Sequence, residues 1–220
     1  ANQYSTNTGR VYVFYNDGSI PTTAATADLI LQGEATGNYY GAALAAGDFN
    51  SDGKTDLVVG AYGYGGNKGR VYLYTFNDGV ITGETTSDYF GCALISGDFN
   101  ADGYIDLAVG ASGYSTSAGR TYIFWGDNLS YPTGAASADV IIQGEAASDY
   151  FGSAMTTGDF NADGKIDLAV GAFGYSSQTG RAYIFYNGSI ITENASGADI
   201  IITGESGRFS SAFTSGDFNT

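Results

Sequence analysis

The chain has 220 residues, with 23 Asp and Glu against 8 Lys and Arg, no His and a formal net charge of −15. This acidic balance argues against nucleic-acid binding, because phosphates select Lys and Arg, and no apolar run approaches the roughly 18 residues of a membrane-spanning helix. Frequent Gly (34), rare Pro (2) and abundant Tyr and Phe favour strands and tight turns over helices.

Read from the N-terminus, the chain repeats one set of predicted strands. An aromatic residue and Gly begin the first strand, as in FGCALISGDF, and an Asp-rich loop leads into the second, as in IDLAVGA. Gly-Arg opens a third strand with period-two alternation, and an apolar run such as ADVIIQGE forms the fourth. Four antiparallel strands repeated every 50–60 residues predict all-β propeller blades, since a β-helix would need shorter repeats.

The phase of the repeat divides the chain. The Asp that opens each Asp-rich loop recurs in steps of 50, 61 and 58 residues. We therefore predict a single repeat array over 1–220, with a partial repeat at 1–39, repeats at 40–89, 90–150 and 151–208, and a truncated repeat at 209–220.

The Asp-rich loop between the first two strands is a candidate calcium site. It offers side-chain oxygens at positions 1, 3, 5 and 9, a backbone carbonyl at position 7 and Gly at position 6, and Ca²⁺ takes roughly six to eight oxygen ligands. Without a cation, repulsion between three carboxylates would oppose this arrangement. Position 12 is Val, so the Glu of an EF-hand is absent, and the alternative is a hairpin turn without metal.

The predicted calcium ligands fall in three complete loops and one truncated loop. They are Asp48, Asn50, Asp52, the Lys54 carbonyl and Asp56 in the first loop; Asp98, Asn100, Asp102, the Tyr104 carbonyl and Asp106 in the second; Asp159, Asn161, Asp163, the Lys165 carbonyl and Asp167 in the third; and Asp217 and Asn219 in the truncated loop.

Together these recurring motifs resemble the FG-GAP repeat of integrin α-subunit propellers and their microbial relatives. The order is Phe-Gly, then Gly-Asp-Phe-Asn-x-Asp-Gly-x-x-Asp-Leu-x-Val-Gly-Ala, then Gly-Arg-x-Tyr, and it covers essentially the whole chain. The resemblance implies an extracellular or cell-surface propeller whose ligands bind the face opposite the calcium loops. Propellers of this family typically have seven blades, whereas this chain holds fewer than four units.

Both ends of the sequence fall inside a predicted blade. Ala1 aligns with Ala61, just after a second strand, and Thr220 lies within a calcium loop. Joining the ends would still lack about ten residues, including one strand, so we do not expect a closed four-bladed ring. We interpret the chain as an excerpt of a longer array, or as a unit completed by a neighbouring copy, because unpaired strand edges invite strand addition.

Charged and aromatic residues also recur in phase. Because antiparallel neighbours place the start of one strand beside the end of the next, we expect a salt bridge inside each blade between the Arg that opens strand three and the Glu that closes strand four. These pairs are Arg10 with Glu34, Arg70 with Glu84, Arg120 with Glu145, and Arg181 with Glu205. The alternative is a ring of ligand-binding Arg. The alternating aromatics of strand three are expected in the core between blades: Tyr12, Phe14, Tyr72, Tyr74, Tyr122, Phe124, Tyr183 and Phe185.

Four residues outside the repeat pattern suggest further features. Asn128, Asn187 and Asn194 each begin an N-x-S pattern and are candidate glycosylation sites, although such patterns also arise by chance in a chain rich in Asn and Ser. Trp125 either stacks on a sugar or belongs to an ordinary strand face. The single Cys excludes an internal disulfide.

The residues that would mark an enzyme are absent from the sequence. There is no His, no nucleophile elbow and no phosphate loop, and the Asp residues of the repeated loops are assigned to calcium. We interpret the chain as a calcium-stabilised extracellular module for adhesion, surface display or structural assembly, with copies of itself or flanking repeats and a protein or glycan ligand as partners. The alternatives are a carbohydrate-binding or carbohydrate-cleaving propeller and a self-assembling fibre subunit.

Overall fold

The computed structural model describes residues 1–18, 21–75, 78–126, 131–188, 190 and 193–216. These residues form four antiparallel sheets whose strands follow one another in chain order. Blade 1 has β1 (Arg10–Val13) and β2 (Leu29–Gln32). Blade 2 has β3 (Leu44–Gly47), β4 (Asp56–Ala61), β5 (Arg70–Tyr74) and β6 (Gly79–Thr82). Blade 3 has β7 (Phe90–Gly97), β8 (Asp106–Ala111), β9 (Arg120–Phe124) and β10 (Val140–Gln143). Blade 4 has β11 (Phe151–Gly158), β12 (Asp167–Ala172), β13 (Arg181–Phe185) and β14 (Ile200–Thr203).

This arrangement confirms the predicted all-β blades of four antiparallel strands. Blades 2, 3 and 4 lie within the predicted repeats 40–89, 90–150 and 151–208. Among the residues that the structure describes, blade 1 has two strands and the sheets do not close into a ring. No helix in these ranges is long and apolar enough to cross a membrane.

Short helical turns connect the strands. Three turns join strand two to strand three in blades 2, 3 and 4: α2 (Tyr64–Asn67), α3 (Tyr114–Ser117) and α4 (Tyr175–Gln178). A similar turn, α1 (Tyr4–Asn7), precedes β1 in blade 1. Each of these turns contains residues in the left-handed region, such as Ser115 at φ 49° and Thr116 at φ 57°. Three 3₁₀ turns join strand three to strand four: η1 (Ala24–Thr26), η2 (Ala135–Ser137) and η3 (Ala195–Gly197).

The glycine of each Gly-Arg pair marks a close approach between blades. Gly119 has φ +86°, and a Cβ there would lie 2.1 Å from the carbonyl oxygen of Phe151 in blade 4. Gly9, Gly69 and Gly180 approach the aromatic residue of the following repeat in the same way. The recurring glycine is therefore required because no side chain fits where two repeats meet.

The hydrophobic core lies between blades. Val58, Val71, Leu73 and Ile81 of blade 2 pack against Phe90, Leu107, Val109, Tyr122 and Phe124 of blade 3, and an equivalent cluster joins blades 3 and 4. In β8, Val109 faces blade 2 whereas Ala108 faces blade 4, so period-two alternation buries both faces of one strand.

The predicted position of the strand-three aromatics is confirmed in blades 3 and 4. Tyr122, Phe124, Tyr183 and Phe185 are fully buried, and the rings of Phe90 and Tyr122 meet edge to face with centroids 5.4 Å apart. In blade 1, Phe14 is 38% exposed. The partial blade therefore departs from this prediction.

The predicted salt bridge inside each blade is wrong. Three of the four Arg residues pair instead with the Glu of the preceding blade: Arg70 with Glu34 (3.2 Å), Arg120 with Glu84 (2.9 Å) and Arg181 with Glu145 (3.0 Å). The fourth, Arg10, donates to Gln32 Oε1. The register explains the difference, since the cross-strand partner of Arg120 is Gln143. Glu145 lies two residues further on, where the chain has already left the strand for the next blade.

Tyr side chains add further contacts to each of these ion pairs between blades. The Arg120 guanidinium lies 3.7 Å over the Tyr114 ring, and the Tyr122 hydroxyl donates to Glu84 Oε1 at 2.6 Å. In blade 4, Arg181, Tyr175, Tyr183 and Glu145 repeat this arrangement. We call this Arg–Glu–Tyr arrangement the inter-blade latch.

Candidate calcium site

The three Asp-rich loops close the hairpins between the first and second strands. Their bases are the cross-strand pairs Gly47 and Asp56, Gly97 and Asp106, and Gly158 and Asp167. The last Asp of each loop is therefore brought next to the residue that precedes the first Asp. This register places the carboxylates at positions 1 and 9 at the same end of the blade.

Within the second loop, the predicted ligands share one hydrogen-bond network. The Asp98 carboxylate accepts the backbone N–H groups of Asp102 (3.1 Å) and Gly103 (3.0 Å). Asn100 Oδ1 accepts the Asp102 N–H at 3.0 Å, and Asp102 Oδ1 accepts the Tyr104 N–H at 2.8 Å. The side-chain oxygens at positions 1, 3 and 5 are thereby turned into the loop.

The other two complete loops repeat this network. In the first loop, Asp48, Asn50 and Asp52 accept the equivalent N–H groups at 2.9–3.0 Å. In the third loop, Asp159, Asn161 and Asp163 do so over the same range of distances. All three loops therefore adopt one conformation. At position 4, Ser51, Ala101 and Ala162 have φ of 56°, 58° and 61°.

The carboxylate at position 9 has a different environment. Asp106 is fully buried, and its two oxygens accept the N–H groups of Phe99 (2.7 Å) and Gly126 (2.9 Å). Asp167 binds Phe160 and Asn187 in the same way, and Asp56 binds Phe49. In the second and third loops, the ninth residue therefore ties the start of the loop to the end of strand three.

In the first and second loops, burial raises the pKa of the position-9 carboxyl group, since burial disfavours the charged form. The pKa of Asp106 rises to about 7, chiefly through burial, with the nearby charges of Asp102 and Asp98 adding to the shift. The pKa of Asp56 is raised by the same causes. In these two loops, the charges at positions 1 and 5 therefore act on the carboxyl group at position 9.

The donor chemistry of each loop fits a hard cation. The oxygens come from carboxylates and one amide, and their mutual repulsion is what a bound cation would relieve. Within the ranges that the structure describes, no group of three or more His, Cys, Asp or Glu side chains is gathered closely enough to hold a metal ion. Asp217 and Asn219 lie outside the described residues.

The three candidate glycosylation sites differ in their surroundings. Asn128 lies outside the described residues, and Asn194 is exposed at the start of η3. Asn187 is 8% exposed, and its amide nitrogen donates to the carbonyls of Asp98 (2.8 Å) and Ile166 (3.2 Å). The nitrogen that a glycan would modify is therefore engaged within the fold at Asn187. The sequence pattern alone did not reveal this contact.

A groove lies between β10 of blade 3 and residues 193–194 of blade 4. It has a volume of about 580 Å³, and its lining includes Trp125, Asp139, Gln143, Glu193 and Asn194. The Gln143 N–H donates to the Glu193 carbonyl at 3.0 Å, which holds the two blades together along one side of the groove. The half-buried Trp125 thus borders a concave, acidic and amide-rich surface.

Comparison with protein-family models gave two matches. The FG-GAP repeat matches residues 40–74, and the FG-GAP-like repeat matches residues 98–170. The matched residues contain all three complete Asp-rich loops. No curated protein sequence matched the chain. The chain is therefore built from FG-GAP repeats, folded as blades of the β-propeller kind.

Proposed function

We propose that this protein is a non-catalytic, calcium-stabilised FG-GAP propeller module that serves adhesion, surface display or structural assembly outside the cell. The observation that carries the proposal is the threefold recurrence of one loop, with the same oxygen donors in the same hydrogen-bond network. A hairpin turn without metal does not require oxygen side chains at positions 1, 3, 5 and 9 together, whereas a calcium loop uses such oxygens as ligands.

The residues that would hold the cation are those at positions 1, 3, 5 and 9, with the backbone carbonyl of position 7. Bound Ca²⁺ would supply the positive charge that offsets the repulsion between the carboxylates. The residues of the chain then fix the hairpin: Asp98 and Asp102 order the loop, and Asp106 ties it to Phe99 and Gly126. Calcium in this position would stabilise the blade rather than carry out chemistry.

A structural assembly role is supported by the contacts between blades. The core lies between neighbouring sheets, and each inter-blade latch joins one repeat to the next. Such junctions would hold neighbouring blades in a fixed arrangement, which suits a module that presents a surface.

Calorimetry and thermal unfolding of the intact chain test the calcium proposal. Titration of chelator-treated protein with Ca²⁺ should show saturable binding, and excess Ca²⁺ should raise the melting temperature by roughly 5 °C or more. Mg²⁺ at the same concentration is the control, since it demands a smaller octahedral site. Absence of binding together with an unchanged melting temperature would contradict the proposal.

Carbohydrate binding is a second candidate function, and the groove beside Trp125 favours it. An aromatic ring offers an apolar face for a sugar ring, while Asp139, Glu193 and the amides of Gln143 and Asn194 offer hydrogen-bonding groups for hydroxyls. Two carboxylates, from Asp139 and Glu193, face the single positive charge of Arg120 in the lining, and this balance favours neutral over acidic sugars. Its volume of about 580 Å³ lies within the usual range for ligand sites.

NMR titration with neutral oligosaccharides tests this second candidate. Binding should shift the Trp125 indole signal and be lost in Trp125→Ala. Tyr186→Ala, at the aligned position of blade 4, is the matched control and should bind normally. Equal losses in both variants, or no shift at millimolar sugar, would argue against this groove as a glycan site.

A further inference from the structure

One buried side chain connects two of the Asp-rich loops. Asn187 lies two residues beyond the end of β13, and 89 positions in the sequence separate it from Asp98. Its Nδ2 donates to the carbonyl oxygen of Asp98, the first residue of the second loop, at 2.8 Å. The same nitrogen donates to the carbonyl of Ile166, position 8 of the third loop, at 3.2 Å, and the backbone N–H of Asn187 donates to Asp167 Oδ1 at 2.8 Å.

From these contacts we infer that Asn187 couples the second and third loops, so that calcium in one raises the calcium affinity of the other. The inference rests on the proposed calcium binding. Asn187 holds the backbone carbonyl of Asp98, and the side chain of the same Asp98 is a candidate calcium ligand. Ile166 lies between two further candidate donors, the Lys165 carbonyl and Asp167. A shift of either loop backbone therefore changes the position of ligands in the other loop.

The amide is held firmly enough to transmit such a shift. It is 8% exposed, and only its nitrogen can face two carbonyl oxygens, which fixes the orientation of the amide. Its Oδ1 is buried and has no hydrogen-bond partner among the residues that the structure describes. Both of the hydrogen bonds that hold the side chain are therefore directed at the two loops.

The neighbouring junction provides an internal comparison. Gly126 occupies the aligned position in blade 3, and its N–H donates to Asp106 Oδ1 at 2.9 Å. Glycine has no side chain, so the amide link to the preceding loop is missing there. Both junctions share an apolar contact, because an Ile side chain packs against the glycine that precedes a loop. A Cβ added to Gly47 would lie 2.8 Å from Ile105 Cγ2, and a Cβ added to Gly97 would lie 3.0 Å from Ile166 Cγ2. The two junctions therefore differ in the Asn187 amide.

The test uses the full chain, stripped of metal by a chelator and titrated with Ca²⁺ while amide signals are followed by NMR. Gly53, Gly103 and Gly164 report on the first, second and third loops, because each donates its N–H to the first Asp of its own loop. Asp102→Ala disables the second loop. In the wild-type background, we expect this substitution to weaken the calcium affinity of the third loop, reported by Gly164, by at least about fivefold. In the Asn187→Gly background, the same substitution should weaken that affinity by less than about twofold.

Two controls keep the test specific. Asp52→Ala disables the first loop and should weaken calcium binding at Gly103 by less than about twofold, since Gly126 provides no link. Asn187→Ala should behave as Asn187→Gly does, and near-UV circular dichroism in chelator shows that each variant is folded. If one of the two does not fold, the other serves as the uncoupled background.

The outcomes separate this inference from the function on which it rests. If Asp102→Ala affects Gly164 equally with and without Asn187, or not at all, the coupling is overturned while calcium binding stands. If none of the three Gly signals responds to Ca²⁺, both the proposed function and the coupling are overturned. Loss of the effect in both Asn187 variants supports the coupling.

Discussion

Arg120 of blade 3 forms its ion pair with Glu84 of blade 2, with 2.9 Å between Nη1 and Oε1. The Arg120 and Glu84 side chains are 17% and 22% exposed, and the Tyr122 hydroxyl shares the same carboxylate oxygen. Truncation of the carboxylate would therefore leave two partly buried donors without their acceptor.

We expect Glu84→Ala to lower the free energy of unfolding by about 1–3 kcal/mol, because both donors would lose their charged partner away from bulk water. Glu34→Ala is the matched variant, since the Glu34 side chain in the latch between blades 1 and 2 is 50% exposed. Its effect should stay below about 1 kcal/mol. Urea denaturation of both variants measures the difference.

Double-mutant cycles should assign the partner of Arg120. Arg120→Ala combined with Glu84→Ala should show a coupling energy of about 0.5–3 kcal/mol, whereas the cycle with Glu145→Ala should be nearly additive. A larger coupling to Glu145 would mean that the bridge forms inside the blade after all.

Two glycines with the same backbone conformation should tolerate alanine very differently. Gly119 has φ +86° and a Cβ there would lie 2.1 Å from the Phe151 carbonyl oxygen, whereas Gly103 has φ +89° and open space around its Cβ position. Gly103→Ala should cost about 1 kcal/mol of stability for the strained φ alone. Gly119→Ala should cost several times more or prevent folding, as measured by thermal unfolding. Similar costs at the two sites would show that the blades do not approach closely at Gly119.

Loss of a loop carboxylate should matter more in calcium than in chelator. Asp102→Ala is expected to lower the melting temperature by roughly 5 °C in Ca²⁺, and by much less in excess chelator, where no cation is bound to either protein. Asp78→Ala is the control, because Asp78 accepts the Thr75 N–H in a turn outside the Asp-rich loops. A calcium-independent effect of Asp102→Ala would contradict its assignment as a ligand.

We expect Asp106 to stabilise the fold even when no calcium is bound. Both of its oxygens accept backbone N–H groups in a fully buried site, and Asn has only one oxygen to offer. Asp106→Asn should therefore destabilise the chelator-treated protein by about 1–3 kcal/mol. Asp102→Asn, in the exposed part of the loop, should change it by less than about 0.5 kcal/mol. Chemical denaturation in chelator compares the two, and equal effects would remove the distinction between positions 5 and 9.

The sequence was sufficient to predict the blades and the place of each Asp-rich loop between the first and second strands. Motifs that recur in phase identified the four strands. The conformation of each loop is set by hydrogen bonds between residues two to five positions apart, so the Asp, Asn and Gly of the loop are enough to determine it. Period-two alternation in β9 likewise predicted the burial of Tyr122 and Phe124, because alternate side chains share one face of a strand.

The contacts that were not predicted are those between blades. The sequence places Glu145 close to Gln143, the cross-strand partner of Arg120, so pairing inside one sheet was the natural expectation. The strand ends at Gln143, and Gly144 and Glu145 already belong to the connection into blade 4. Glu145 therefore lies out of reach of Arg120 and pairs with Arg181 instead. Asn187 shows the same limit: its N-x-S pattern suggested a glycan, while its burial depends on a carbonyl 89 residues away.

The inter-blade latch has a consequence for how such arrays grow. The Gly-Glu pair near the end of one repeat carries the acceptor, and the Gly-Arg pair that opens strand three of the next carries the donor and the glycine that makes room for the aromatic residue of the repeat that follows. Every repeat thus carries both halves of the same junction. Gene duplication of any single repeat would create a matching junction at once, and the number of blades could change without the invention of a new interface.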